Sequence, residues 1–161
     1  MREEGSYMEV KIVNFEEIKV AIIEHKGSQD NEYDTVHKLI KWKIENKLID
    51  TKKYRNYGLH YTNPKITDKN KHKVDFCLSV DFEVDENEYG IKSGLIPNLR
   101  CAVARDIGSR TNNKAVVYLM EEWLPSSGEQ VANFPIIFHY VNVGPNVKPE
   151  EMITDVYLPL A

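Results

Sequence analysis

The feature that most constrains the fold is an internal repeat, because four short blocks of the chain recur in the same order. The matched pairs are "VAIIEHKGS" (20–28) with "CAVARDIGS" (101–109), Trp42 with Trp123, "LHYTN" (59–63) with "FHYVN" (138–142), and Asp75 with Asp155. The offsets are 81, 81, 79 and 80 residues. The offset varies by at most two residues, as expected when the connecting loops differ slightly in length. We therefore interpret the chain as two copies of one unit.

Each copy has the pattern of a strand, a helix and two further strands. A β-branched run ends at Gly27 or Gly108, where a glycine tolerates the backbone of a turn. Helical spacing then places apolar residues on one face, and these residues are Val36, Leu39, Ile40, Ile44 and Leu48, or Val116, Leu119, Met120 and Trp123. The second helix is expected to end near Pro125. The predicted later strands are 56–62 and 74–80, then 136–142 and 153–159.

The pattern predicts an α+β fold of tandem duplicated βαββ units with pseudo-twofold symmetry. We expect one domain over 8–161, with repeat one at about 8–83, a connector at about 84–98 and repeat two at about 99–161. A three-stranded unit alone is marginal, so two copies are expected to share an antiparallel sheet carrying two main helices. A central ligand cleft is expected between the copies, because pockets favour such interfaces.

Charge and composition exclude several classes of protein. The net charge of −4 does not favour nucleic-acid binding, although 38–73 holds eleven Lys or Arg against three Asp or Glu. That basic stretch could contact nucleic acid or an acidic partner, but a solvated loop is the favoured explanation, because no aromatic or glycine-rich recognition motif accompanies the charge. No apolar run is long enough to span a membrane, and the N-terminus has no apolar signal core. We therefore predict a cytoplasmic protein with buried, reduced Cys77 and Cys101.

The motifs of the second copy resemble the GyrI-like small-molecule-binding family. The resemblance covers about 8–161, and its most specific marks are "EWLPSSG" (122–128) and the terminal strand "DVYLPL" (155–160). The family also supplies the effector-binding domains of multidrug-responsive transcription activators. The resemblance implies a tandem βαββ fold that binds lipophilic, often cationic, aromatic compounds in a cleft between the copies.

This resemblance leaves three functions open. We predict a stand-alone protein that captures a hydrophobic aromatic small molecule as a sensor or sequestrant, with no cofactor. We expect no direct DNA binding, because no helix-turn-helix segment flanks 8–161. The alternatives are a hydrolase of reactive cyclopropane-type metabolites and a protein-binding modulator, acting on gyrase or a transcription factor.

One departure from the family pattern bears on ligand charge. Many members carry a glutamate at the pocket floor, within a Phe-Glu-x-Tyr motif. Aligning that tyrosine on Tyr140 puts Phe138 at the glutamate position, and Leu59 at the matched position of repeat one. A buried carboxylate attracts a cation, whereas an aromatic ring offers only stacking and cation–π contacts. We therefore expect a neutral or weakly polar aromatic ligand, and the same loss weakens the hydrolase alternative.

The candidate ligand-binding residues are aromatic or apolar side chains on the later strands and helices. They are Phe138, Tyr140, Tyr61, Tyr57, Leu59, Trp123, Trp42, Tyr33 and Tyr118. Residues two apart on a strand share a face, so the strand residues are placed on one cleft face, with core packing as the alternative. Structural roles remain the alternative for both tryptophans.

No catalytic or metal-binding pattern stands out from the residues themselves. His60 and His139 are expected on the opposite strand face from the tyrosines, and neither has a carboxylate or cysteine at ligand spacing. Glu24 and Arg105 occupy matched positions and are expected to pair if the first strands of the two copies meet. We predict a binding protein rather than an enzyme, with no catalytic residues and no metal site.

Overall fold

The computed structural model describes residues 7–62, 67–111 and 113–161. Its eight strands are β1 (Lys11–Phe15), β2 (Ile18–Lys26), β3 (Asn56–His60), β4 (Lys73–Ser79), β5 (Lys92–Ile96), β6 (Leu99–Ile107), β7 (Ile136–Tyr140) and β8 (Ile153–Pro159). Its helices are α1 (Glu32–Glu45), α2 (Lys114–Val117), a π-helix (Tyr118–Trp123) and α3 (Leu124–Ser127), with short 3-10 turns at Gln29–Asn31, Lys69–Lys71 and Pro149–Glu151. The α+β class and the βαββ pattern of each repeat are confirmed.

The chain divides into two compact units that do not follow the sequence boundaries of the repeats. The first-repeat unit is Glu17–Pro97, and the second-repeat unit combines Met1–Glu16 with Asn98–Ala161. Within the former, the strand order is β3-β4-β2-β5, and within the latter it is β1-β6-β8-β7, with antiparallel neighbours throughout. The sequence did not predict β5, which lies in the expected connector, or β1 as a separate strand.

In the first-repeat unit, α1 packs on one face of the sheet. The buried core on that face comprises Ala21, Ile23, Leu39, Trp42, Leu48, Val74, Phe76, Leu78, Val80 and Ile91. The predicted apolar stripe of α1 is partly wrong, because Ile40 and Ile44 are 39% and 62% exposed. Trp42 takes their place in the core, since it lies three residues after Leu39 and is 5% exposed.

The second helix is formed by α2, the π-helix and α3. It buries residues that correspond to those of α1, but it has one additional residue between the second and the third of them. The inward positions are Val36, Leu39 and Trp42 in α1, and Val116, Leu119 and Trp123 in the second helix. A π-helix places an extra residue within a helical turn without breaking the helix. The π-helix therefore accounts for the change of offset from 80 at Leu119 to 81 at Trp123. Met120, predicted to be inward, is 39% exposed.

The "EWLPSSG" segment closes the second helix. Leu124 packs against the core of the second-repeat unit, and Pro125 lies in the first turn of α3. The Ser127 hydroxyl donates to the carbonyl of Leu124 at 2.8 Å, and Gly128 ends the helix with a left-handed φ of 76°. The helix thus continues two residues beyond the proline before it stops.

The strand register corrects the alignment of the two repeats. In the first-repeat unit Asp75 lies opposite Leu59, whereas in the second-repeat unit Asp155 lies opposite His139. The true offset on these strands is therefore 80, and the matching of "LHYTN" with "FHYVN" at 79 is wrong by one residue. The corrected equivalences are Gly58 with Phe138, Leu59 with His139, and His60 with Tyr140.

Candidate functional site

A cavity of about 310 Å³ lies in the first-repeat unit, between the C-terminal end of α1 and segment 82–89. Trp42, Phe82 and Tyr89 contribute its aromatic walls. The ring centroids of Trp42 and Phe82 are 6.5 Å apart, and both side chains also contact the core. The walls are therefore held by core packing and can present flat apolar surface to a ligand.

The rim of this pocket is acidic, and its carboxylates are Glu45, Glu83, Asp85, Glu86 and Glu88. The Tyr89 hydroxyl donates to Glu45 at 2.5 Å, and this hydrogen bond is the main reason that the pKa of Tyr89 is raised. Lys19 donates to Glu83 at 2.5 Å and lowers the pKa of that carboxyl. The ion pair with Lys19 compensates the charge of Glu83, so the carboxylates of Glu45, Asp85, Glu86 and Glu88 are the ones that favour positively charged ligands.

Asn87 fixes the loop that carries the rim. Its Oδ1 accepts from the backbone N–H groups of Tyr89 at 3.0 Å and of Ile91 at 3.1 Å. Its Nδ2 donates to the carbonyls of Asp85 at 2.9 Å and Ile91 at 2.8 Å. Since Ile91 is buried, this network ties the acidic loop to the core and shapes the pocket before a ligand arrives.

Of the predicted ligand-binding residues in the first-repeat unit, Trp42 lines this pocket. Tyr57 and Leu59 are each 3% exposed and lie on the sheet face opposite α1, as does Tyr61. Tyr33 is 73% exposed on α1, where its ring stacks on His37 at 5.8 Å. These side chains are therefore dispersed, and the structure brings Tyr57, Leu59 and Tyr61 together only as a row on one face.

In the second-repeat unit the predicted strand residues face the helix. Phe138 lies opposite Val156 and packs against the core beneath the second helix, near Trp123. The Arg110 guanidinium lies 5.1 Å from the centre of the Tyr140 ring. Tyr118 is buried on the second helix and meets Tyr7 edge to face, with centroids 6.3 Å apart. The prediction that Phe138 and Leu59 hold equivalent faces is wrong, because of the one-residue register difference.

Two carboxylates that match across the repeats have different surroundings. Asp155 accepts a bidentate contact from Arg105, with distances of 2.7 and 2.9 Å. Asp75 is 6% exposed, and its Oδ2 accepts from the Tyr61 hydroxyl at 3.0 Å. Its Oδ1 has no hydrogen-bond partner among the described residues. Glu24, at the position of Arg105, forms an ion pair with Lys92, so the expected pairing of Glu24 with Arg105 is wrong.

Three histidines of the first-repeat unit, His25, His60 and His72, lie on the α1 side of its sheet, and His25 and His72 are buried there. His72 contacts Glu32 at 3.0 Å through Nε2 and Thr62 at 2.8 Å through Nδ1. His60 lies on the α1 side of the sheet, opposite the tyrosines as predicted, and burial lowers its pKa to about 3. His139 lies on the other face of its own sheet, beside Asp155. Within the described ranges, no group of three or more His, Cys, Asp or Glu is arranged to hold a metal ion.

Sequence reasoning missed Phe82, Tyr89 and the acidic rim. The signal was present in "DFEVDENEYG" (81–90), where carboxylates alternate with aromatic residues, but it was interpreted as a connector. The missing partner of Asp75 could not be found from sequence, because it depends on which residue lies opposite in β2. Cys77 and Cys101 are buried free thiols, as predicted.

The family model described as the GyrI-like small molecule binding domain matches residues 8–161. The chain belongs to this family. It is 34% identical over 155 residues to the probable transcriptional regulator YgiV of Escherichia coli K12, covering 96% of this chain and 97% of that protein. It is 26% identical over 158 residues to a DNA gyrase inhibitor of Erwinia billingiae, covering 96% of this chain and 98% of that protein.

The fold agrees with that of a solved structure. The C-terminal domain of EcmrR superimposes with a TM-score of 0.74 at 17% identity, over 96% of this chain and 98% of that one. Membership of the family makes the chain a small-molecule-binding domain related to domains of transcription regulators. In the part of the chain that the structure describes, no helix is both long and apolar enough to cross a membrane.

Proposed function

We propose that this protein captures an aromatic small molecule in the pocket at the end of α1, as a sensor or sequestrant. The observation that carries the proposal is the cavity of about 310 Å³, walled by Trp42, Phe82 and Tyr89. Aromatic walls favour flat ligands, because offset or edge-to-face ring contacts add about 0.5–1.5 kcal/mol each beyond the burial of area. Family membership supports small-molecule binding as the general activity.

The rim chemistry favours a cationic ligand over a neutral one. Five carboxylates surround the mouth of the pocket, and a cation over an aromatic wall gains a further ~0.5–2 kcal/mol. The expectation of a neutral ligand depended on a site at Phe138, which packs in the core of the other unit. In the pocket at the end of α1, by contrast, the acidic rim favours a cationic ligand over a neutral one.

A matched pair of probes tests both parts of the proposal. We would measure quenching of tryptophan fluorescence and thermal stabilisation with 2-naphthylmethylamine and its neutral alcohol analogue. The amine is expected to bind more tightly at low salt, and its advantage is expected to shrink as salt screens the rim. Tyr89→Leu is expected to weaken the binding of both probes, because it removes an aromatic wall of the pocket.

Tyr33→Leu is the matched control, because it removes an exposed tyrosine of the same unit that does not line the pocket. Equal binding by wild type and Tyr89→Leu would exclude this pocket as the site. A neutral probe that binds as tightly as the amine would refute the role of the rim. Absence of binding by either probe would favour a protein partner, the activity named for the related gyrase inhibitor.

A further inference from the structure

The two repeats contain the same carboxylate but neutralise it differently. In the second-repeat unit, Asp155 on β8 lies opposite Arg105 on β6, and the guanidinium meets both carboxylate oxygens. In the first-repeat unit, Asp75 on β4 lies opposite Glu24 on β2. The second-repeat unit therefore shows that a guanidinium group fits beside this carboxylate. In the first-repeat unit, the residue opposite Asp75 does not supply such a group.

The surroundings of Asp75 leave one oxygen unsatisfied. The side chain is 6% exposed, Tyr61 donates to Oδ2, and Oδ1 has no partner in the described part of the chain. Glu24 cannot donate a hydrogen bond, and its own partner is Lys92. Lys73, two residues along the same face, places its ammonium group 4.3 Å from the centre of the Tyr61 ring.

A buried acceptor without a donor is costly. Leaving a buried polar atom unsatisfied costs about 1–3 kcal/mol, and more when the group is charged. Burial raises the pKa of Asp75 more than any other influence, and the Tyr61 hydrogen bond opposes this effect. Native structures contain few such groups, and those that persist call for a specific explanation.

We propose that Asp75 is a binding site for a guanidinium or amidinium group of a small ligand. The planar fork of such a group can donate to Oδ1 and approach the edge of the carboxylate, as Arg105 does at Asp155. Glu24 lies opposite on the neighbouring strand, but its charge is compensated by Lys92, so the carboxylate of Asp75 is the group that recognises the ligand. Tyr61 is 43% exposed, and rotation of its side chain opens a path to the buried carboxylate.

This site is separate from the pocket at the end of α1. Asp75 does not line that pocket, and it lies on the opposite sheet face from α1, because its neighbours Val74 and Phe76 belong to the core beneath the helix. The two proposals therefore depend on different residues. Either one can fail without affecting the other.

Benzamidine and its neutral analogue benzamide test the Asp75 site. Titration calorimetry at low salt is expected to show saturable binding of benzamidinium to the parent protein and none of benzamide. Asp75→Asn keeps the shape of the side chain but removes its charge, and it is expected to weaken binding about tenfold or more. Every protein of this series, the parent included, carries Tyr89→Leu, because this change weakens the binding of an aromatic cation in the pocket at the end of α1. Tyr33→Leu, at an exposed residue that does not line that pocket, is the control that is expected to leave benzamidinium binding unchanged.

The most direct variant copies the second repeat into the first. Glu24→Arg supplies a guanidinium within the chain, so it is expected to abolish benzamidinium binding at Asp75; its Tm is not used as a readout, because the change also breaks the ion pair between Glu24 and Lys92. The reverse variant, Arg105→Glu, vacates Asp155 and is expected to add a second benzamidinium site. The proposal is overturned if Glu24→Arg binds benzamidinium as well as the parent does, or if the parent does not distinguish benzamidinium from benzamide.

Discussion

The buried imidazole of His60 predicts a specific dependence of stability on pH. His60 lies on the α1 side of its sheet, opposite Val74, which has His25 on its other side. Burial lowers the pKa of His60 to about 3, and the nearby His72 lowers it further. An unfolded histidine has a pKa near 6.5, so between these two values the unfolded state holds one proton more than the folded state.

The sign and size of the effect follow from proton linkage. Stability is complete above pH 6.5 and is lost as the pH falls, because protons bind preferentially to the unfolded chain. The loss is about 1.4 kcal/mol per pH unit once the unfolded imidazole is protonated. Between pH 6.5 and 4.5 it amounts to roughly 2–3 kcal/mol from this residue.

The perturbation is His60→Gln, which keeps a polar side chain but cannot titrate. We would measure the free energy of unfolding by urea titration at several pH values between 7.5 and 4.5. A Trp123→Phe background makes the fluorescence of Trp42 report on the first-repeat unit. As the pH falls, the free energy of unfolding is expected to decrease more for the parent than for His60→Gln. The titration of other groups affects both proteins alike and cancels in the difference.

His37→Gln is the matched control, because it removes an exposed imidazole from the outer face of α1. It is expected to leave the pH slope unchanged. A difference between parent and His60→Gln that stays constant from pH 7.5 to 4.5 would show that His60 accepts its proton without unfolding. The burial argument would then be refuted.

Two further predictions concern positions where geometry fixes the outcome. The Oδ1 of Asn113 caps α2 by accepting from the N–H groups of Ala115 at 2.9 Å and Val116 at 3.1 Å, while its Nδ2 has no partner among the described residues. Asn113→Ala is expected to cost about 0.5–2 kcal/mol in urea titrations, whereas Asn113→Asp keeps the acceptor and is expected to cost little; equal costs would contradict the capping role. A Cβ at Gly94 would lie 2.2 Å from Cδ1 of Ile22, so Gly94→Ala forces that side chain out of its rotamer and is expected to destabilise by about 0.5–1.5 kcal/mol. Adding Ile22→Val removes that methyl group and is expected to recover part of the loss, and a purely additive double variant would count against the clash.

The repeat, the order of its elements and the approximate positions of six of the eight described strands could be predicted from the sequence. They depend on local patterns, namely β-branched runs, helical spacing and glycines at turns. The predicted strand 153–159 coincides with β8, and 56–62 and 136–142 each extend two residues beyond β3 and β7. β5 escaped prediction because its segment, which contains glycine and is followed by Pro97, was interpreted as part of the connector, and β1 because no matched block of the repeat marks it.

The faces of the later strands could not be predicted, because a single residue decides them. Side chains alternate across a sheet, so an offset of 79 instead of 80 exchanges one face for the other. "LHYTN" and "FHYVN" are alike in letters, yet His60 corresponds to Tyr140 and Leu59 to His139. Only the position of each strand against Asp75 or Asp155 reveals the true correspondence.

Under the proposal for Asp75, the aspartate that occurs at matched positions of both repeats has a different role in each. Asp75 and Asp155 open matching segments, and sequence comparison treats them as equal. Their chemistry is set by the cross-strand neighbour, which is Glu24 for one and Arg105 for the other. An arginine pairs with Asp155, whereas a glutamate, itself paired with Lys92, leaves Oδ1 of Asp75 without a donor among the described residues. Under the proposal for Asp75, this exchange of arginine for glutamate between the repeats turns the position of a structural ion pair into a site for an external cation.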